Sequence, residues 1–369
     1  LQPSSNLQLS RETPDALLKH TLQVVGKGYG FPSIFNAEAV VKEQVRQGKT
    51  LEDARAGGCS GCVEVGAFGK EAYFLTGYFN LPKILELALH DGMDPMTGKQ
   101  LGPRSGDPAD FASFEDLFAA YEAQFRHFLD IKLRGNHLIE QMYGALMPAP
   151  FLSVLIDDCV KNGRDYNAGG ARYNNTYVQF VGLGSVTDSF SALRTMSFSD
   201  GAWTVSLEEF VGIMDDDFEG QEVMRRRLLN KVPKYGNDDD EADDLMLRVF
   251  QTCVDTLDGR PDSRGGHYRV EMLPTTCHVY FGSVTGASPD GRRARRPLSE
   301  GISPVQGADR NGPTAVLKSA GKMDQIMTGG TLLNMKINPE TANSEAGLKK
   351  WGQLVRSYFR MDGHHVQFN

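Results

Sequence analysis

The sequence predicts an α/β protein, one continuous domain built as a barrel or as a large sheet wrapped in helices. Three observations predict it. Runs with helical spacing and short β-rich runs follow one another from end to end of the 369 residues. The 40 glycines cluster in the loops between apolar runs, where backbone freedom or close approach to a ligand calls for them. No internal repeat, low-complexity linker or Pro/Ser-rich hinge divides the chain.

Taken in order, Asp15 to Val25 carries Leu17, Leu18, Leu22 and Val25 at helical spacing. Asn36 is placed to cap a second helix, Ala37 to Gln47, with Val40, Val41 and Val45 on one side. A glycine-rich knot fills 57–69. Glu71 to His90 reads as largely helical, with Asn80 and Pro82 marking a break or a new N-terminus inside it and Asp91-Gly92 ending it. Ser113 caps the longest amphipathic run, through Phe118, Tyr121, Phe125, Phe128 and Leu129 toward Leu138. Phe151 to Ile156 and Tyr177 to Leu183 are short, apolar and β-rich, as buried strands are. Helices are expected over 207–218, 221–230 and 241–257. Tyr268 to Phe281 is a strand candidate interrupted by Pro274; Thr331 to Ile337 reads as a strand, Leu348 to Tyr358 as a helix and His365 to Phe368 as a strand.

Composition bounds the function. Hydrophobic residues at 40% and charged residues at 23% allow a substantial core and exclude an intrinsically disordered chain. A mean hydropathy of -0.36 and the lack of an 18-residue uncharged apolar run exclude a transmembrane helix. A net charge of -8 argues against a dedicated nucleic-acid binder. Five cysteines, an odd number, fit a reducing cytoplasm better than a secreted disulfide framework. The chain opens at Leu1 and stops at Asn369 just after an apolar run, the expectation being a fragment of something longer.

The densest chemical signal is Gly57-Gly58-Cys59-Ser60-Gly61-Cys62-Val63-Glu64-Val65-Gly66. Glycines let a tight loop project a side chain into a cavity. In an extended loop Cys62 and Glu64, two apart, point the same way and present a sulfur and a proton-transfer group together. Cys59-x-x-Cys62 also fits a redox pair, although such a site sits at a helix N-terminus after a strand, and zinc would need a second ligand pair. Both a catalytic and a structural cysteine fit this loop. Asp215-Asp216-Asp217 and Asp238 to Glu241 lack EF-hand spacing, and the second run precedes a helix whose dipole favours carboxylates. Arg292, Arg293, Arg295 and Arg296 read as a solvated turn or an interface. Adjacent His364 and His365 in a strand face opposite ways and do not chelate together. Neither a Walker A motif nor a strand–GxGxxG–helix unit occurs. Thr275-Thr276, after Pro274, can cap backbone or bind a ligand.

Gly61-Cys62-Val63-Glu64 resembles the cysteine loop of glycyl radical enzymes of the pyruvate formate-lyase type. So do Tyr166 to Tyr173, Pro233 to Asp240, Ser299 to Pro304 and Asp362 to Asn369. The resemblance implies part of a ten-stranded α/β barrel with a central cysteine finger loop. It further implies that 1–369 is a single barrel fragment, the C-terminal part, with the N-terminal half and the glycyl radical domain absent, because no Arg-Val-x-Gly-Tyr motif occurs. Cys62 matches the family's thiyl residue and Glu64 its proton-transfer carboxylate; Cys59, three positions away, does not match the second cysteine of the acyl-transferring members. The cofactor implied is a protein-derived glycyl radical outside the fragment, with no metal or nucleotide. The implied partners are a small-molecule substrate and a radical S-adenosylmethionine activating enzyme, with a homodimer possible and the isolated fragment inactive. Within the family the chain is most similar to the trans-4-hydroxy-L-proline dehydratase branch, in which Thr275 or Thr276 would bind the substrate carboxylate. Arylacetate decarboxylases, isethionate sulfite-lyase and formate acetyltransferase-like enzymes are the alternatives within the family. A CxxC thiol redox or metal-binding protein is the alternative of another class.

Overall fold

The computed structural model describes residues 5–201 and 203–369. β1 (Asn6–Leu9) and β2 (Ser33–Asn36) lie parallel, with α1 (Asp15–Val24) in the connection. α2 (Ala37–Arg46) begins where its cap predicts, since Asn36 Oδ1 accepts the Ala39 N–H at 3.4 Å. α3 (Leu51–Ala56) leads into an antiparallel hairpin, β3 (Gly58–Ser60) and β4 (Glu64–Gly66), with Cys59 opposite Val65.

The helix expected from Glu71 is replaced over its first half by β5 (Phe74–Asn80). The run Phe-Leu-Thr-Gly-Tyr-Phe is aromatic-rich and broken by Gly77 at a φ of +91°, which suits a strand and costs a helix stability. Only after Asn80 does α4 (Leu81–Ala88) start, with Asn80 Oδ1 accepting the Lys83 N–H at 3.2 Å. A short hairpin, β6 (Met93–Asp94) and β7 (Lys99–Gln100), precedes α5 (Phe114–Leu146). Ser113 and Asp116 close a reciprocal capping box at the start of α5. The buried strand expected over Phe151 to Ile156 is instead α6 (Pro150–Leu155), with Phe151 81% exposed. Pro150 fixes the φ of a first helical turn, and a short apolar run carries no periodicity to tell the two apart.

After α7 (Cys159–Asn162) comes β8 (Thr176–Val181), as expected. α8 (Leu183–Ser197) then runs through the core; it is buried nearly all round and shows no amphipathic stripe to announce it. α9 (Leu207–Asp215), α10 (Glu222–Asn230) and α11 (Asp240–Leu257) match the expected helices. β9 (Tyr268–Met272) stops before Pro274, and the remainder of that candidate strand coils into α12 (Cys277–Ser283). α13 (Pro313–Gly321), β10 (Thr328–Thr331), β11 (Asn334–Met335), α14 (Pro339–Ala342), α15 (Glu345–Arg360) and β12 (His365–Phe368) complete the chain.

The α/β class holds; among the described residues the strands pair as two four-stranded sheets and two two-stranded hairpins. One has the order β1-β2-β12-β11 and mixes parallel and antiparallel pairs. The other, β10-β9-β8-β5, is parallel throughout. The segment 328–335 joins them, because β10 belongs to one sheet and β11 to the other. Along β8 and β9 the side chains alternate. Val178, Phe180, Tyr268 and Val270 join the main core with α4, α5, α8 and α11, whereas Tyr177, Gln179, Arg269 and Glu271 share the opposite face. That polar face looks toward the hairpin.

Candidate active site

The hairpin is wedged between the two sheets. Cys59, Val63 and Val65 pack in one cluster with Phe35 of β2, Val40 of α2, Leu273 beyond β9 and Leu332 beyond β10, and half-buried Cys62 packs against it. Gly330 of β10 lies so close that a Cβ there would stand 2.4 Å from the Val63 carbonyl oxygen. Three residues, Gly61-Cys62-Val63, turn the chain at the tip, with Gly61 in the left-handed region at a φ of +65°.

Cys62 and Glu64 are brought together, but by a tight turn and not by the extended loop expected. The Glu64 carboxylate folds back over the tip: its Oε2 accepts the Cys62 N–H at 2.6 Å and the Val63 N–H at 3.0 Å. The same oxygen explains the glycine before Cys62, since a Cβ at Gly61 would come within 2.6 Å of it. Local side-chain-to-backbone bonds of this kind hold a turn in one conformation, so the Glu64 carboxyl fixes the backbone that carries the sulfur.

A cleft of about 490 Å³ opens beside Gly61 and Glu64, with Glu71, Tyr73 and Tyr166 on its far wall. Beneath it lies a buried polar layer. Lys49 Nζ stands 2.5 Å from Glu71 Oε2, and Glu71 Oε2 accepts the Ala67 N–H at 2.9 Å. Tyr177 Oη donates to Gln47 Oε1 at 2.9 Å, while its ring stacks on Tyr73 at 3.8 Å between centroids. Burial pushes the carboxyl of Glu43, in this layer, well above the usual carboxylate range. Burial likewise pushes Glu271 up, and the Glu64 carboxylate adds to the effect.

Thr275 and Thr276 are exposed, and among the described residues neither lines the cleft that holds Glu64. Thr275 adopts a φ of +47°, and its hydroxyl hydrogen-bonds the Tyr78 hydroxyl. Tyr78 in turn begins a cross-strand row, Tyr78–Gln179–Glu271, on the polar sheet face. Sequence reading passed over Glu71, Tyr73, Gln179 and Glu271. A signal for the last two is present, a polar residue at every second position of Tyr177-Val178-Gln179-Phe180 and Arg269-Val270-Glu271-Met272.

Other marked residues are structural. No disulfide joins Cys59 to Cys62 among the described residues, and burial pushes the Cys59 thiol far up, the opposite of a reactive redox thiol. No group of three or more His, Cys, Asp or Glu is placed to hold a metal among the described residues. Asp239 caps α11 through the Glu241 N–H at 3.0 Å, and Asp217 accepts the Ala294 N–H at 2.8 Å. Arg292, expected at a solvated turn, is buried and donates to the Ser288 hydroxyl at 3.0 Å and the Arg296 carbonyl at 2.8 Å; five donors in a rigid fork suit it to tying a loop together. His364 and His365 accept from the Thr331 and Leu333 N–H groups at 3.2 and 3.4 Å. No helix among the described residues is long and apolar enough to cross a membrane.

Residues 1–282 match the family model described as pyruvate formate lyase-like, and residues 298–369 match the one described as glycine radical. The second match corrects the expectation that the glycyl radical domain is absent. The matched residues fold as α13–α15 and β10–β12. Over its whole length the chain is 52% identical to trans-4-hydroxy-L-proline dehydratase of Clostridioides difficile, of which it covers 46%. It superposes on the crystal structure of hydroxyproline dehydratase from Clostridioides difficile with substrate trans-4-hydroxy-L-proline bound, with a TM-score of 0.97, 100% of this chain and 46% of that one being covered. On the glycerol-bound form of the B12-independent glycerol dehydratase from Clostridium butyricum the TM-score is 0.95 at 35% identity, again over 100% of this chain and 46% of that one. The chain thus spans about half the length of the curated relatives it matches.

Proposed function

Because the chain belongs to the pyruvate formate lyase-like family, we propose that it carries the hydrogen-transferring cysteine of a glycyl radical dehydratase acting on trans-4-hydroxy-L-proline. The observation that carries the reading is the hairpin tip, where Cys62 stands between two sheets with the Glu64 carboxylate bound to its own N–H at 2.6 Å. The 52% identity to a hydroxyproline dehydratase supports the choice of substrate. The glycyl radical of the family supplies the hydrogen-atom abstraction that turns the cysteine thiol into a thiyl. The residues present fit that role: the segment 328–335 lies inside the glycine radical match and touches the tip through Gly330.

Cys62 takes a hydrogen atom from the carbon next to the carbinol carbon, making S–H and leaving a carbon radical. The C–O bond then breaks, and the hydroxyl leaves as water with a proton from Glu64. The substrate loses a proton, which restores the carboxyl, and Cys62 gives its hydrogen atom back. The net change is loss of one water. Anchoring at the turn fixes the Cys62 backbone against the Glu64 carboxyl, and fixed geometry is a large part of such catalysis. We assign the substrate carboxylate to Thr275 or Thr276. Support for this is the family resemblance together with the exposed Thr275 hydroxyl beside Tyr78. A radical S-adenosylmethionine activating enzyme, a cytoplasmic setting and a homodimer complete the reading.

The test is anaerobic assay of the activated full chain with hydroxyproline, isethionate and an arylacetate. Dehydration of hydroxyproline, abolished in a folded Cys62→Ser variant, is expected. Turnover retained by that variant refutes the role of Cys62; turnover of isethionate or the arylacetate in place of hydroxyproline refutes the substrate. The thiol redox reading is disfavoured by the buried Cys59 thiol.

A further inference from the structure

We propose that Glu271, reached through Tyr73, is a second proton-holding group behind Glu64, kept as a neutral acid so that the cleft wall can be resupplied with a proton while the hydroxyl leaves. This rests on the reading of Glu64 as the proton-transfer residue.

Hydrogen-bond counting leads to it. Tyr73 lines the cleft beside Glu64, and its ring is held in place by the stack on Tyr177, with 10° between planes. Its hydroxyl has one hydrogen and two acceptors in reach, the Gly329 carbonyl oxygen at 3.0 Å and Glu271 Oε1 at 3.4 Å. The shorter bond, to a carbonyl that can only accept, takes the hydrogen. The contact with Glu271 is then favourable only if the carboxyl carries the proton and donates to the Tyr73 oxygen. Glu271 is fully buried, and among the described residues its Oε2 has no hydrogen-bond partner, so an ionised carboxylate there would be costly.

The surrounding charges point the same way. A charge on Glu64, on the hairpin, or on Glu43, on α2, acts on Glu271 through space and opposes its ionisation. Gln179, its neighbour across the strand, is neutral. The nearby cations are paired elsewhere: Arg269, on the same face, with Asp258 at 3.1 Å, and Lys49 with Glu71 at 2.5 Å. A group pushed up by desolvation and like charge, next to a cleft, is what a proton store requires.

The exchange balances. When Glu64 has given its proton to the departing hydroxyl, Tyr73 turns its O–H from Gly329 toward the cleft and passes that proton through a cleft water to the Glu64 carboxylate. The O–H bond of Glu271 breaks and a new one forms on the Tyr73 oxygen. The proton later released by the substrate, which would otherwise restore Glu64, then passes through the cleft water and the Tyr73 hydroxyl to Glu271, so the buried carboxylate lasts only until that proton arrives and both carboxyls end the cycle protonated.

The test uses Glu271→Gln, near-isosteric and still able to donate to Tyr73, with Tyr73→Phe beside it. Infrared spectra of the resting full chain should show a carboxylic-acid C=O band at neutral pH that Glu271→Gln removes. In the activated enzyme both variants should lower kcat about tenfold with KM unchanged, less than the 10²–10⁴-fold of a direct acid–base group. The wild-type rate should fall at high pH as Glu271 ionises, a limb missing in Glu271→Gln. No band lost in that variant, or wild-type rates across the pH range, overturns the proposal. A protein that dehydrates none of the substrates refutes the dehydratase reading instead, since the infrared band is read without turnover.

Discussion

Replacing Gly330 by Ala should disable the site without touching a reacting group. Gly330 has a φ of +146°, and an added Cβ would meet the Val63 carbonyl oxygen at 2.4 Å and the Val63 carbonyl carbon at 3.0 Å. Ordinary contact begins at 3.4 Å, so 3.4 less 2.4 leaves 1.0 Å that the hairpin tip or β10 must give. Val63 lies between Cys62 and Glu64, and both ride on the same turn. A displacement of about 1 Å at reacting atoms costs on the order of 100-fold in rate. The unfavourable φ adds about 1–3 kcal/mol of destabilisation. The assay is kcat of the activated full chain with hydroxyproline, alongside thermal unfolding. Gly307→Ala serves as control, having a φ of +81° and, among the described residues, nothing within 4 Å of the added Cβ; it should lose stability but keep its rate. If Gly330→Ala keeps kcat within about twofold, close contact between β10 and the tip does not position Cys62.

Three further outcomes are expected. Cys59→Ala should leave turnover nearly unchanged, because Cys59 is a buried packing residue on β3; a loss as deep as that of Cys62→Ala would revive the redox pair. Glu71→Gln should cost about 3–5 kcal/mol in denaturant unfolding, since it strands the buried Lys49 ammonium; a cost below about 1 kcal/mol would show the ion pair to be dispensable. Burial lowers His364 to about 4, below its unfolded value of about 6.5. Between those values the unfolded chain binds a proton that the folded chain refuses, so stability should fall by up to about 3 kcal/mol as pH drops through that window. His364→Asn, which keeps an acceptor for the Thr331 N–H, should flatten the slope of Tm against pH there, and an unchanged slope would refute the assignment.

Periodicity and caps made α1, α2, α5, α9–α11 and α15 legible, because amphipathic spacing and Asn36 or Ser113 act within a few residues of chain. β5, α6 and α8 were not legible. Short apolar runs take whichever state their neighbours allow, and a helix buried all round has no polar stripe to betray it. For the site, the loop Gly61-Cys62-Val63-Glu64 offered a sulfur and a carboxyl together, since glycine freedom and residue type are local properties, and their proposed roles came from the family resemblance rather than from the spacing. Tertiary structure alone decided that Glu64 caps the turn bearing Cys62 and that Gly330, 268 residues further on than Cys62 (330 − 62), presses on the tip. It also put Glu71 and Tyr73 on the cleft wall and gathered Glu43 and Glu271 behind them. Each of those facts depends on two sheets meeting around a hairpin, and contacts between residues so far apart leave no periodic trace in either one.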